Sequence, residues 1–190
     1  MNPLVNAMVF LINIISQFYI GLVIMRFLMQ WVRADFYNPL AQFIVRATNP
    51  LLRPLRRMIP SVLGLDVASV LLALILQIFS LIFIITIQGQ LGVISWNMIV
   101  SLATLELILL ILHIYMAAAF LLFIVSWLSP YNDNPLTILV YQLIEPLTSR
   151  IQRYIPPFHG LDFSLIFIVI GISLIKIVFV TPLMIELATP

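Results

Sequence analysis

Four long apolar stretches constrain this chain more than any other feature. They run from about Leu4 to Val32, Val67 to Ile87, Asn97 to Leu128 and Phe163 to Leu187. A helix needs about 20 apolar residues to cross the hydrocarbon core of a bilayer. None of the four alternates apolar and polar residues with a period of two, which argues against a lipid-facing β-barrel. A helix satisfies its own backbone hydrogen bonds and is the open-chain structure that hydrocarbon tolerates. Composition agrees: 63% of the 190 residues are apolar and 8% are charged, against about 25% charged in ordinary soluble domains. The absence of cysteine excludes disulfide scaffolds, iron–sulfur centres and cysteine nucleophiles. The expected fold is therefore all-α and integral to a membrane, with four transmembrane helices.

The first stretch has no basic leader and is too long for a signal-peptide core, so it is expected to remain as the insertion signal. The first and third stretches exceed the bilayer core and should tilt or project from it. Trp31, Trp96 and Trp127 stand where interfacial aromatics are expected. Segment 33–65 carries Arg33, Arg46, Arg53, Arg56 and Arg57, and segment 129–161 carries Arg150 and Arg153. The connector 88–96 and the N-terminal tail carry no Lys or Arg. Positive residues favour the cytoplasm, which puts both long segments there and both termini outside. In a bacterial inner membrane the termini would be periplasmic.

The two halves of the chain match at a constant offset of 96 residues. Trp31 matches Trp127, Asn38-Pro39-Leu40 matches Asn134-Pro135-Leu136, and Pro50-Leu51 matches Pro146-Leu147. Arg57 matches Arg153, Ile59-Pro60 matches Ile155-Pro156, and Gly64-Leu65-Asp66 matches Gly160-Leu161-Asp162. Twelve of the 36 positions from Trp31 to Asp66 are identical, where composition alone gives roughly two to four. The reading is a tandem duplication, with repeat one over 1–95 and repeat two over 96–190. Each repeat holds two spans and a long cytoplasmic segment. Two spans return the chain to its starting side, so the repeats are expected to be parallel, unlike those of inverted-repeat transporters.

The matched residues read as helix punctuation. Asn38 and Asn134 are expected helix caps, each followed by a Pro suited to the first helical position. Asn49-Pro50, and more weakly Glu145-Pro146, suggest a second helix start in each segment. Gly64 and Gly160 suit a left-handed turn. Asp66 and Asp162 are expected to cap the following span, with charge at the favourable dipole end. Leu51, Leu55, Met58 and Ile59 share one helical face, as do Leu147, Ile151, Tyr154 and Ile155. Opposite them lie Arg53, Arg56 and Arg57 in one copy and Arg150 and Arg153 in the other. Short amphipathic helices of this kind lie in the headgroup layer, with arginines toward anionic phospholipid. The apolar stretches 40–47 and 136–144 are too short to cross; they either dip in as re-entrant pieces or, more simply, lie at the interface.

The Asn-Pro-Leu motif, the run Pro50-Leu51-Leu52-Arg53-Pro54-Leu55-Arg56-Arg57-Met58-Ile59-Pro60 and the Gly-Leu-Asp that follows, echoed after a second span pair, resemble the YggT (YlmG-like) family. That resemblance implies a small bacterial inner-membrane protein with chloroplast relatives. It implies links to osmotic or ionic stress tolerance, to the division region and to assembly of a membrane cytochrome. No catalytic residue follows from it. The second copy departs from the fuller basic pattern, with Ser149, Ile151 and Gln152 where the first has Arg53, Leu55 and Arg56.

Inside the spans stand Arg26, Glu106, His113 and Lys176. A charge at the bilayer centre costs at least about 2.5–3.5 kcal/mol on insertion scales, so each needs a partner or water. Arg26, near the cytoplasmic end, is expected to snorkel. Glu106 and Lys176 sit at similar depths, which suggests an ion pair, with His113 two turns further along. Asn13, Gln17 and Gln77 are further candidate partners. This cluster reads either as packing polarity or as a path for protons or small cations. His159 reads as a solvated loop residue.

No Ser/His/Asp constellation lies outside the bilayer and no glycine loop cradles phosphate, so no enzyme, metal site or cofactor is expected. The basic residues are too few for a nucleic-acid surface. The leading expectation is a non-enzymatic adaptor that docks on anionic phospholipid and on a membrane protein complex, with homo-oligomerisation open. The alternative is a cation or proton channel or carrier using Glu106, His113 and Lys176.

Overall fold

The computed structural model describes residues 3–59, 65–89, 94–128, 134–154, 162 and 164–188. Gly64, Gly160, His159 and the side chain of Trp127 lie outside the described residues. Helix α1 (Pro3–Trp31) is followed by α2 (Pro39–Met58), α3 (Val67–Ile87), α4 (Trp96–Leu128), α5 (Pro135–Gln152) and α6 (Ser164–Ile175). From α6 a π-helical turn (Lys176–Val180) leads into α7 (Thr181–Ala188). The π turn precedes Pro182, whose missing N–H and ring disfavour a tight α-turn. The Thr181 hydroxyl and backbone N–H both donate to the Lys176 carbonyl across the widened turn.

Helices α1, α3, α4 and the run Ser164–Leu187 are each long and apolar enough to cross a membrane. Their surfaces agree with that. Leu4, Phe10, Ile15 and Phe18 of α1, Phe79 and Phe83 of α3 and Ile177 and Phe179 beyond α6 are all exposed. In water such surface would be a liability; against lipid tails it is the expected outer wall.

Helix α1 packs on α3, and α4 packs on α3 and α6. Small residues let these backbones approach closely: Ala68, Ser69 and Ala73 on α3, and Ala103, Ala118 and Ala119 on α4, are all buried. The core is off-centre. It gathers Ile20, Val23, Ile24 and Leu28 of α1, Leu52 of α2, Leu122 of α4, Leu143 and Ile144 of α5 and Ile168 of α6. A second cluster of Met29, Ala34, Ala41, Ile44 and Leu139 joins α1, α2 and α5. Packing is thus densest at the end of the bundle where α2 and α5 meet.

The two connecting helices differ from the sequence expectation. Helix α2 runs unbroken through Asn49-Pro50, and both Pro50 and Pro54 lie inside it. Helix α5 likewise runs through Pro146. There is no second helix start: a proline's local signal is the same at N1 and mid-helix, and tertiary packing decides here. The face α2 turns to the bundle coincides only in part with the apolar face read from the sequence: Leu55 and Ile59 pack against the core, as do Leu147 and Ile151 of α5. Ala41, Ile44, Thr48 and Leu52 are buried, while Leu51 and Met58 are exposed. In α5 the buried residues are Leu139, Val140, Leu143, Ile144 and Thr148, and Tyr154 is exposed. At 3.6 residues per turn, Leu51 and Met58 lie on one flank of the buried stripe of α2, and Arg46, Arg53 and Arg57 lie on the face opposite the stripe.

Candidate functional site

The polar residues form four groups, the last of which ties the ends of α2 and α5. The first joins α1 to α2. Arg26 is only 5% exposed. Its Nη1 donates to the Val45 carbonyl at 3.1 Å, Thr48 Oγ1 at 2.7 Å and Asn49 Oδ1 at 2.9 Å. It therefore does not snorkel to solvent. Three acceptors on a neighbouring helix replace the water it loses, which is the condition for burying such a group. Tyr19 adds a bond from its hydroxyl to the Ala47 carbonyl at 3.3 Å.

The second group lies at the start of α3. Asp66 occupies the cap position, but its side chain makes no capping hydrogen bond. Its carboxylate instead takes an ion pair from Arg56 and a hydrogen bond from Ser69 Oγ. Burial pushes this carboxyl up. The bonds from Arg56 and Ser69 and the charges of Arg56 and Arg26 outweigh that and hold it below the usual carboxylate range. Gln30, Arg56, Ile59 and Asp66 line a cavity of about 290 Å3 beside it. Asp162, 96 residues later, does cap its helix, since Oδ1 accepts from Ser164 N at 3.0 Å. Its Oδ2 accepts from Gln152 Nε2 at 2.8 Å. Gln152 thus stands at the position of Arg56, and a neutral donor replaces a cation.

The third group is inside the spans, and it divides in two. Gln17 Nε2 donates to Gln77 Oε1 at 3.4 Å, and Gln77 Nε2 donates to Glu106 Oε2. These residues bind α1, α3 and α4 together. Lys176 Nζ lies 3.0 Å from His113 Nε2, between the π turn and α4. The Glu106–Lys176 ion pair expected from equal depth is not formed, because depth along a helix does not set the direction a side chain faces. Asn13 is exposed.

The ends of α2 and α5 are tied together. Asn38 Oδ1 accepts from Leu40 N at 2.9 Å, and Asn134 Oδ1 accepts from Leu136 N at 3.0 Å. Asn38 also reaches across, with Nδ2 donating to the Pro135 carbonyl at 2.7 Å. Nearby, Asp35 N donates to Gln142 Oε1 at 3.0 Å. Arg53, Arg57, Arg150 and Arg153 are exposed, as is Arg46. Of the arginines expected to face lipid, Arg56 is engaged by Asp66. Sequence reasoning missed the buried role of Arg26. Thr48 and Asn49, two polar residues one step apart on a helix otherwise turned inward, were the available signal.

Four helices of this length and apolarity, with large side chains exposed along them, define a multi-pass helical membrane protein. The CCB3/YggT family model matches residues 5–87 and again 101–183, and the chain belongs to that family. It is 38% identical over 184 residues to an uncharacterised protein of Pseudomonas aeruginosa, covering 94% of this chain and 90% of that one. An uncharacterised protein from the proC 3′ region of Vibrio alginolyticus is 41% identical, covering 88% and 90%. The uncharacterised protein YggT of Escherichia coli is 34% identical, covering 90% and 88%. No solved structure matches the chain.

Proposed function

We propose that this protein is a non-enzymatic adaptor of a bacterial inner membrane, built from two tandem copies of a span, an amphipathic helix and a second span. The family model matches twice, and 101 − 5 = 96 is the offset of the sequence identities. In this reading α2 and α5 lie on the cytoplasmic side, both termini are periplasmic, and the two helices form one platform in the headgroup layer. The observation that carries it is the clamp between them. Asn38 and Asp35 of the first copy bond Pro135 and Gln142 of the second, while Arg26 fastens α2 to α1. Such a platform is rigid, and it leaves Arg46, Arg53 and Arg57 outward on the face away from the bundle. Anionic headgroups attract each by about 1 kcal/mol near the surface. The polar groups within the spans serve packing in this reading. Glu106 is held by Gln77, and His113 and Lys176 hold each other.

The test uses the full chain in lipid nanodiscs. Hydrogen exchange of α2 should be slower in phosphatidylglycerol than in phosphatidylcholine. Changing Arg46, Arg53 and Arg57 together to Gln should remove the difference. Equal protection in both lipids would end the lipid-docking reading. Mass spectrometry of native-lipid particles tests the partner; a stoichiometric membrane protein is expected, and its absence counts against the adaptor.

A further inference from the structure

Between α4, α5 and α6 lies a cavity of about 170 Å3 lined by Leu122, Ser126, Thr137, Tyr141, Thr148 and Asp162, among others. We infer that this cavity is a binding site for a primary ammonium group, such as the headgroup of phosphatidylethanolamine. This site rests on the correspondence of the two copies and is independent of the arginine platform.

In the first copy the carboxylate of Asp66 feels the charge of two cations. Arg56 pairs with it directly, and Arg26 acts on it through space. Counting 96 residues on, Arg56 becomes Gln152 and Arg26 becomes Leu122, yet the carboxylate persists as Asp162. All its hydrogen bonds among the described residues come from neutral donors: Gln152 Nε2, Ser164 N and Ser164 Oγ. No Lys or Arg pairs with it among those residues. A partly buried carboxylate at a membrane protein's edge is expected to be matched by a cation. The second copy has lost both of its own.

The cavity lies where that cation would fit. Leu122 stands at the position of Arg26 and borders it, and Asp162 forms part of its wall. Two of the four hydroxyls that line it, those of Ser126 and Thr148, have their protons engaged elsewhere. Ser126 Oγ donates to the Phe123 carbonyl at 2.7 Å, and Thr148 Oγ1 donates to the Glu145 carbonyl at 3.3 Å. They therefore offer lone pairs to the cavity, which suits a ligand made of donors. An ammonium brings three N–H donors and no acceptor. Cavities of about 150 Å3 accommodate a molecule the size of benzene, so an ethylammonium headgroup fits. Tyr141, half exposed, stands at the wall.

The experiment is native mass spectrometry of the detergent-solubilised full chain with phosphatidylethanolamine or phosphatidylcholine. Choline's trimethylated nitrogen has no N–H and serves as the control. The wild type should retain phosphatidylethanolamine about tenfold better, the size expected of a charge-assisted hydrogen bond. Asp162→Asn should bring the two lipids to parity. Leu122→Arg should do the same by placing the first copy's own cation in the second, and it keeps the test open if Asp162→Asn does not fold. A rise in thermal midpoint with free ethanolamine, in micelles free of phosphatidylethanolamine, would support the same site with a soluble amine as its source. Equal retention of both lipids by the wild type, without any response to ethanolamine, would overturn the inference. So would an unchanged preference in both variants. Neither result bears on the protection of α2 by phosphatidylglycerol.

Discussion

The two halves hold a connecting helix against a spanning helix by opposite means. In the first, Arg26 crosses from α1 into three acceptors on α2. In the second, Leu122 of α4 joins Leu143 and Ile144 of α5 in the apolar core. The positions correspond at the offset of 96: Arg26 with Leu122, and Thr48 with Ile144. Corresponding positions of the two halves thus carry different chemistry. Buried polar networks are seldom more stabilising than well-packed apolar ones of similar volume, although breaking one by removing a single member is costly. The first half is therefore the more fragile of the two to single substitution, and its geometry is the more tightly specified.

The largest expected effect comes from importing the second half's residue into the first. Arg26→Leu leaves Thr48, Asn49 and the Val45 carbonyl without their shared donor, and should cost about 2–4 kcal/mol. Adding Thr48→Ile completes the apolar pattern and should recover a large part of that loss. The readout is unfolding of the purified protein in mixed micelles titrated with SDS. If Arg26→Leu alone is as stable as the wild type, the arginine is not a lock and the contrast between halves collapses.

A smaller effect separates the two aspartates by pH. Asp66 titrates below the ordinary carboxylate range because Arg56 and Ser69 bond its charged form. A depressed folded pKa contributes stability that is fully present above the unfolded pKa, about 3.9, and is lost as pH falls further, through the folded value. The Arg56 side chain is 38% exposed, so solvent screening limits the contribution to about 1 kcal/mol. The thermal midpoint measured from pH 7 down to pH 3 should fall less steeply in Asp66→Asn than in the wild type. Identical slopes would mean that the Arg56–Asp66 pair contributes nothing.

Much of this architecture was legible, and the illegible part has a physical pattern. The span over Val67–Ile87 coincides with its helix, and the others differ by a residue or two at their ends, because apolarity over 20 residues is a local property. The Asn-Pro pairs mark the starts of α2 and α5 for the same reason: cap and first turn are adjacent in sequence. Partners across helices are another matter. Gln77 rather than Lys176 engages Glu106, and Asp66 pairs with Arg56. Each depends on helix rotation and on which helices are neighbours, which no single segment encodes. The continuity of α2 through Pro50 was hidden likewise. The bonds from Arg26 to Val45, Thr48 and Asn49 brace the helix around that proline, and they come from 19 or more residues away.

The smallest effect concerns how the chain leaves α1 to make the first half's lock possible. Ala34 N donates to the Met29 carbonyl at 2.8 Å, and Arg33 N donates to the Gln30 carbonyl at 3.2 Å. This is a Schellman turn, and its left-handed residue is Arg33, at φ 56°. Such turns ordinarily place Gly there. Met29 and Ala34, the residues the motif brings together, are both buried in the cluster that joins α1 to α2 and α5. The turn therefore sets the angle at which α2 returns toward Arg26. A side chain in this conformation costs about 1–2 kcal/mol, and Gly adds about 0.4–1 kcal/mol of freedom to the unfolded chain. Arg33→Gly should then stabilise the protein by roughly 0.5 kcal/mol, the difference between those two effects. The same SDS titration reads it. A loss of stability instead would mean that the Arg33 side chain holds the turn by contacts of its own, and that the charge at this joint, rather than the backbone geometry, orients α2.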